Sequence, residues 1–245
     1  MKKIRIIPCL DMKEGKVVKG INFVGLQEVG EPVELAKYYE QCGAEEITLL
    51  NIDGKIMFDT IEKVAKEISI PITVGGGIKN IEDCEKLFNL GVSKISINSV
   101  AVKNPYLIKE LSLKFGKEKI IIAIDVKGGN VIINGGKKDT KIDAVSWAKE
   151  VEKLGAGEIL LTSMDKDGTK NGYDLEITRL ISESVDIPVT ASGGAGKKED
   201  FLNAFTIGKA SAVLGASVFH FNEINIKELK QYLDSALLLY NAVKK

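Results

Sequence analysis

Two aspartates give the first sign of chemistry. Asp11 follows the apolar run Ile6-Ile7-Pro8-Cys9-Leu10, and Asp125 follows Ile121-Ile122-Ala123-Ile124. What comes after them is also alike: Lys13, Gly15 and Val17 in one stretch, Lys127, Gly129 and Val131 in the other. A carboxylate closing an apolar strand stands at the rim of the core that the strand enters. Two such groups facing one substrate can act as general base and general acid. Either aspartate alone would equally cap a turn or pair with a lysine such as Lys13 or Lys127. Their recurrence in equivalent places marks a site.

Two glycine clusters complement them. Val74-Gly75-Gly76-Gly77 and Ser192-Gly193-Gly194-Ala195-Gly196 each leave an apolar run. Glycines let backbone N–H groups approach an anion closely. Each cluster precedes a short apolar run ending in a helix start, Asn98-Ser99 in one case and Gly215-Ala216-Ser217 in the other, where amides and hydroxyls suit phosphate. A third polar stretch, from Thr162 through Asp167-Gly168 to Asp174, reads as a contact-rich loop or, more plainly, a solvated one with Asx turns. Lys19 is a candidate anion partner, and Gly20–Gly30 reads as a long mobile loop, a possible lid. The implied substrate is long, with a phosphate at each end and its reactive middle between Asp11 and Asp125.

Alternating apolar and amphipathic runs supply the elements that position these groups. Strands are expected at Arg5–Leu10, Glu46–Ile52, Ile70–Val74, Lys94–Ile97, Lys119–Asp125, Glu158–Thr162, Pro188–Ser192 and Ala212–Leu214. Helices are expected at Pro32–Cys42, Thr60–Ile68, Ile81–Leu90, Asn104–Phe115, Asp143–Leu154, Leu175–Ser184, Lys198–Ile207 and Ile226–Tyr240. Val- and Ile-rich strands without alternation suit a parallel sheet covered by helices. Eight strand–helix pairs in 245 residues predict an α/β fold, a closed (β/α)8 TIM barrel read as one domain over 1–245. Gly43-Ala44-Glu45-Glu46-Ile47 resembles Gly155-Ala156-Gly157-Glu158-Ile159, and Glu82-Asp83 matches Glu199-Asp200. The barrel is therefore expected to consist of two similar halves, with Asp11 and Asp125 facing each other across its C-terminal mouth.

At the other face, Arg5, Glu46, Lys94 and Glu158 lie at or near strand starts. Their alternating signs could form a salt-bridged ring, although simple solvation of strand ends is the plainer reading. Trp147 and His220 read as a packing residue and a helix-start contact.

Composition narrows the classes. Lys+Arg and Asp+Glu are both 34, so no bulk charge favours nucleic acid or membrane. Three scattered cysteines and one histidine fit a reducing, cytoplasmic compartment and argue against a bound metal. No apolar run approaches membrane-spanning length, and Asp11 interrupts the first one too early for a signal peptide.

Taken together, the motifs resemble the cyclase subunits of imidazole glycerol phosphate synthase, of histidine biosynthesis. The resemblance runs nearly end to end, through Pro8-Cys9-Leu10-Asp11, Val17-Val18-Lys19-Gly20, Val74-Gly75-Gly76-Gly77-Ile78, Ile97-Asn98-Ser99, Asp167-Gly168-Thr169-Lys170, Ser192-Gly193-Gly194-Ala195-Gly196 and Ala216-Ser217-Val218-Phe219-His220-Phe221. It implies that ammonia attacks the keto group of a bisphosphate, the phosphoribulosyl-formimino-aminoimidazole carboxamide ribotide. Cleavage and cyclisation then yield imidazole glycerol phosphate and the aminoimidazole carboxamide ribotide. By the same resemblance Asp11 is the base, Asp125 the acid, and no cofactor or metal is needed. A glutaminase subunit docks on the barrel bottom, where Arg5, Glu46, Lys94 and Glu158 resemble the gate to an ammonia passage.

Three positions depart from the family pattern. Asn51 stands where Asp is usual, in a loop about five residues shorter, Ser93 where an acidic residue often helps hold the glutaminase, and Lys141 where glycine is usual. Asp53-Gly54 resembles the related sugar isomerase. A bisphosphate isomerase and an ammonia-delivering partner of another amidotransferase are the alternatives.

Overall fold

The computed structural model describes residues 4–21 and 24–243, with the backbone only at 21 and 24–26. The first half runs β1 (Ile6–Lys13), β2 (Lys16–Ile21), β3 (Val24–Gly30), α1 (Pro32–Gln41), β4 (Ile47–Asn51), α2 (Phe58–Glu67), β5 (Ile72–Gly75), α3 (Ile81–Asn89), β6 (Lys94–Ile97), α4 (Ser99–Lys103) and α5 (Tyr106–Phe115). The second runs β7 (Ile120–Lys127), β8 (Asn130–Ile133), β9 (Lys138–Asp143), α6 (Ala144–Lys153), β10 (Glu158–Ser163), α7 (Leu175–Ser182), β11 (Val189–Ser192), α8 (Lys198–Thr206), β12 (Ala212–Gly215), α9 (Ser217–His220) and α10 (Ile226–Val243).

Strands β1, β4, β5, β6, β7, β10, β11 and β12 pair in parallel in that order, and β12 returns to β1. This is the closed (β/α)8 barrel expected, and β1 and β7 lie opposite each other in the ring. Helix starts follow local chemistry: Asn80, Asp143 and Asp174 accept backbone N–H groups from the first turns of α3, α6 and α7, satisfying donors that a helix start leaves free. Pro32 opens α1, where its missing N–H costs nothing.

Alternation along each strand divides the core in two. Ile6, Leu10, Ile47, Leu49, Ile95, Ile122 and Val213 belong to the large outer core between barrel and helices. Ile7, Cys9, Ala212 and Leu214, with Leu50 and Leu160 packed on them, form a small plug inside the barrel. The inward column of β1 reads Arg5, Ile7, Cys9, Asp11, running from a charge at the bottom through apolar packing to a charge at the mouth.

Three expectations need correction. Gly20–Gly30 is not an irregular loop: apart from residues 22 and 23, which lie outside the described ones, it belongs to an antiparallel hairpin of β2 and β3 that pairs onto β1. A matching hairpin of β8 and β9 pairs onto β7. In consequence Asp11 and Asp125 do not end their strands, which run two residues further to Lys13 and Lys127. The parallel barrel pairing gives way to hairpin pairing beside each carboxylate. The helix expected at Asn104–Phe115 begins at Tyr106 and follows a separate short helix, α4.

Candidate active site

The two aspartates occupy different environments. Asp11 is buried; its Oδ2 accepts from Lys19 Nζ at 2.9 Å and its Oδ1 from the Cys9 thiol at 3.5 Å. Lys19 comes from β2, so the first hairpin delivers its cation. Burial opposes the charge on Lys19, but the charge and hydrogen bond of Asp11 and the charge of Asp167 outweigh it and raise its pKa. Burial also holds the Cys9 thiol far above its ordinary range, so it remains a donor.

Asp125 has a neutral partner. Its Oδ2 accepts from Asn98 Nδ2 at 2.9 Å, and the same amide donates to the Ile132 carbonyl of the second hairpin at 3.2 Å. Burial lifts the Asp125 carboxyl to about 6, the Asn98 hydrogen bond opposing this and the charge of Asp167 adding to it. Asp167 is itself raised, mainly by burial; Lys19 and the Gly168 N–H pull it down while Asp11 pushes it up. The structure thus gathers Asp11, Lys19 and Asp167 into one electrostatic cluster, and Asp167 also acts on Asp125, whose direct partner is Asn98.

Both glycine loops lie against backbone. A Cβ on Gly76 would sit 2.1 Å from the Asn51 carbonyl oxygen, and one on Gly77 2.9 Å from that of Gly54. The equivalent Gly193 and Gly194 would meet the carbonyl oxygens of Ser163 at 2.8 Å and Gly172 at 2.2 Å. All four have positive φ, so glycine is required twice over. Thr162 is in register with Ser192, setting both at the mouth ends of β10 and β11. Asn98 and Ser99 begin α4, and Ala216 and Ser217 begin α9. Ser99 Oγ accepts the Asn134 N–H of the second hairpin at 2.8 Å.

At the bottom the four charges do form one ring. Arg5 Nη2 donates to Glu158 Oε1 at 2.7 Å, and Nη1 reaches Glu158 and Glu46 at 3.2 and 3.4 Å. Lys94 Nζ bridges Glu46 at 2.9 Å and Glu158 at 3.1 Å. Thr73 and Thr190 complete the carboxylates, each donating at 2.6 Å, to Glu46 and Glu158 respectively. Burial opposes the ionised form of Glu158, but Arg5, Lys94 and Thr190 together hold its pKa below the ordinary value. Just inside lies a cavity of about 10 Å³ bounded by Ile7, Thr48, Thr73, Ile121, Leu160, Thr190, Leu214 and the two glutamates. That is close to the space one water-sized molecule needs.

The sequence of the chain is similar to those of named proteins. A family model described as histidine biosynthesis protein matches residues 5–225. Imidazole glycerol phosphate synthase subunit HisF of Clostridium botulinum is 55% identical over 240 residues, covering 94% of this chain and 95% of the relative. The subunit of that name from Hydrogenobaculum sp. is 56% identical over 239 residues, with the same coverage. The chain belongs to the histidine biosynthesis family.

The three positions set apart in the sequence each have a definite local setting. Asn51, buried, donates to the carbonyls of Gly75 and Gly76 at 3.0 and 3.3 Å and accepts the Met57 N–H at 3.3 Å. It ties the first glycine loop to the segment before α2, a bridge that an ionised aspartate could not make because it has no donor. Lys141 sits at φ 61°, the left-handed conformation that favours glycine. Ser93 accepts the Ile72 N–H at 3.3 Å, a contact between β5 and the start of β6. The contacts of Thr73, Thr190, Cys9 and Asn51 are announced by no motif. The threonines were findable as inward neighbours of the ring at equivalent places in the repeat; the reach of Asn51 to a later loop has no local signal.

Among the described residues, no group of three or more His, Cys, Asp or Glu side chains could hold a metal ion, and no helix is long and apolar enough to cross a membrane.

Proposed function

We propose that this chain is the cyclase subunit of an imidazole glycerol phosphate synthase, joining ammonia to a bisphosphate ribulosyl substrate at the barrel mouth. The single observation that carries the mechanism is the contrast between Asp11, ion-paired with Lys19, and Asp125, hydrogen-bonded to a neutral amide with its pKa near 6. Two carboxyl groups whose surroundings differ in this way divide base and acid work. Asp11 takes a proton from the attacking nitrogen, and Asp125 returns one to the departing oxygen or amine. Gly76, Gly77, Asn98 and Ser99 hold one phosphate, and Ser192, Gly193, Gly194, Ala216 and Ser217 the other. Lys19, Thr162, Asp167 and Gly168 contact the middle of the substrate.

Ammonia enters from a glutaminase subunit at the opposite face. The ring of Arg5, Glu46, Lys94 and Glu158 is its gate, and the small cavity above the ring is a first station. No cofactor is required. The three free thiols support a reducing compartment, the cytoplasm.

The isomerase reading rests on Asp53, which is exposed and closes an Asx turn with the Lys55 N–H at 3.0 Å. That placement favours the cyclase. The test adds an ammonium salt and the bisphosphate to the pure chain and follows imidazole glycerol phosphate. Asp11→Asn and Asp125→Asn should each lower kcat by about 10²–10⁴-fold. Normal turnover in either variant would remove these assignments.

A further inference from the structure

We infer that His220 and Tyr39 are positioning residues that clamp the end of β1 carrying Asp11 to the helix that starts the second phosphate cradle. The inference rests on the proposed role of Asp11 and extends it to two side chains outside the mouth.

The need for a clamp follows from strand register. β1 pairs with β12 only as far as Pro8 and Gly215, while on its other side it continues along β4 from Cys9 to Met12. From Cys9 to Asp11 β1 therefore has no register partner on the β12 side, until β2 takes up that edge at Met12. The chain leaving β12 turns into α9, and its last residue takes the vacant place: His220 Nε2 lies 2.9 Å from the Cys9 carbonyl oxygen. Asp11 is two residues further along the same strand, and Ser217 is the first residue of the same helix.

The hydrogen-bond chemistry and the burial of the ring together fix its state. A carbonyl only accepts, so Nε2 carries the proton. Nδ1 lies 2.6 Å from the hydroxyl of Tyr39, whose side chain is fully buried. A neutral imidazole protonated at Nε2 accepts at Nδ1, so the Tyr39 O–H is the donor. The order Tyr39 to His220 to Cys9 thus joins α1, α9 and β1 with every donor and acceptor role assigned. The rings are 5.8 Å apart and tilted by 47°. Burial lowers the His220 pKa to about 4; Asp11 and the Cys9 carbonyl oppose this and Lys19 adds to it. The ring is therefore neutral across the working range. Such a clamp passes any shift of the phosphate-side helix to the strand under Asp11, and loosening it should disturb the chemical step more than substrate binding.

The chain has one histidine, so ¹⁵N NMR of labelled protein reads this ring without ambiguity. The expected spectrum has a protonated Nε2 and a bare Nδ1 with no titration from pH 5 to 8. An imidazole that titrates near the ordinary 6.5 would overturn the clamp. In ammonium-driven turnover, His220→Ala should lower kcat ten-fold or more with KM changed less than three-fold. His220→Gln, whose amide N–H can reach the Cys9 carbonyl, should recover most of that loss. Tyr39→Phe should lower kcat about three-fold and relax the tautomer in the NMR spectrum; being isosteric, it provides the readout if His220→Ala does not fold. Turnover within two-fold of the parent in Tyr39→Phe and His220→Ala, equal losses in the Ala and Gln variants, or a change confined to KM would each refute the assignment. If the parent chain shows no ammonium-driven turnover, the proposed function fails, while the NMR result still decides the clamp.

Discussion

Lys19 Nζ lies 2.9 Å from Asp11 Oδ2, whereas the nearest donor on Asp125 is the neutral amide of Asn98 at the same distance. The barrel repeat puts the two aspartates in equivalent strands, and these partners give them different surroundings. Lys19 stands on the first hairpin, and Asn98 precedes α4. The difference thus arises outside the strands, in the elements that pack over each half of the mouth.

Replacing Lys19 by Met tests that division. The substitution keeps length and packing and removes the cation from a buried carboxylate. Asp11 should lose its ion-pair partner, and kcat for ammonium-driven turnover should fall about ten-fold or more, equivalent to roughly 1.4 kcal/mol or more in the barrier. Lys19→Arg should retain part of the activity. Steady-state kinetics on the two variants checks both statements, and unchanged kcat in the Met variant would show that Asp11 does not depend on the pair.

Asp125 should be a site of stored instability. Its carboxyl is lifted from an ordinary 3.8 to about 6 in the fold, burial being the first cause. In the unfolded chain the group ionises near 3.8, while the folded protein resists ionisation up to about 6. The penalty on folding therefore grows between those values and is constant above them. Asp125→Asn removes the charge and can keep the contact with Asn98. Its Tm advantage over the parent should be small at pH 4.5, widen toward pH 6 and stay level to pH 8. An advantage that shrinks as pH rises would contradict the assigned environment.

The barrel is easy to read in the sequence because its eight strands are dense runs of Ile and Val separated by amphipathic segments. Each observed barrel strand begins or ends within a few residues of the expected one, and Lys94–Ile97 coincides. The repeat of Gly75-Gly76-Gly77 in Ser192-Gly193-Gly194 identifies both glycine loops. The two hairpins are hidden for a physical reason. Val17, Val18, Val131, Ile132 and Ile133 carry strand character, but those segments are held by pairing onto β1 and β7, a tertiary interaction that short-range patterns do not announce. Asn134-Gly135-Gly136 and, before β8, Gly128-Gly129, all with positive φ, are the local signs of the second hairpin. The clamp on Cys9 is invisible in the same way, because His220 and Cys9 lie at opposite ends of the chain.

The hydroxyls of Thr73 and Thr190 should matter to the floor of the barrel as much as the charges do. Each donates at 2.6 Å to a buried glutamate of the ring. Thr190→Val is nearly isosteric and leaves Glu158 Oε1 with Arg5 alone. Loss of a donor to a buried acceptor costs about 1–3 kcal/mol. Because Glu158 has a lowered pKa in the fold, its ring contacts contribute stability above the ordinary value of 4.5 and lose it as pH falls through the folded pKa. The Tm deficit of Thr190→Val should therefore be largest near neutrality and narrow in acid. Thermal unfolding across pH checks this, and a deficit independent of pH would assign the threonine to packing alone.

Lys141 offers a prediction of the opposite sign. Its φ of 61° places a side chain in the left-handed region, which costs roughly 1–2 kcal/mol for a residue with a Cβ. Asp139 compensates in part, accepting the Lys141 N–H and the Nζ, both at 2.8 Å. Those two bonds, with a further one from Asn130, hold the Asp139 carboxyl down to about 2. The side-chain pair is exposed and contributes little, while the backbone bond needs no side chain at 141. Lys141→Gly keeps the N–H, removes the strained Cβ and gives back some entropy in the unfolded chain. Relief of strain should prevail, with a gain of about 1 kcal/mol, or roughly 2–4 °C in Tm for a chain of this size. The side chain is exposed on β9, two strands over from Asp125, and makes no contact with Asp11 or Asp125, so ammonium-driven kcat should stay within two-fold. A fall in Tm would mean that the Asp139–Lys141 pair outweighs the strain.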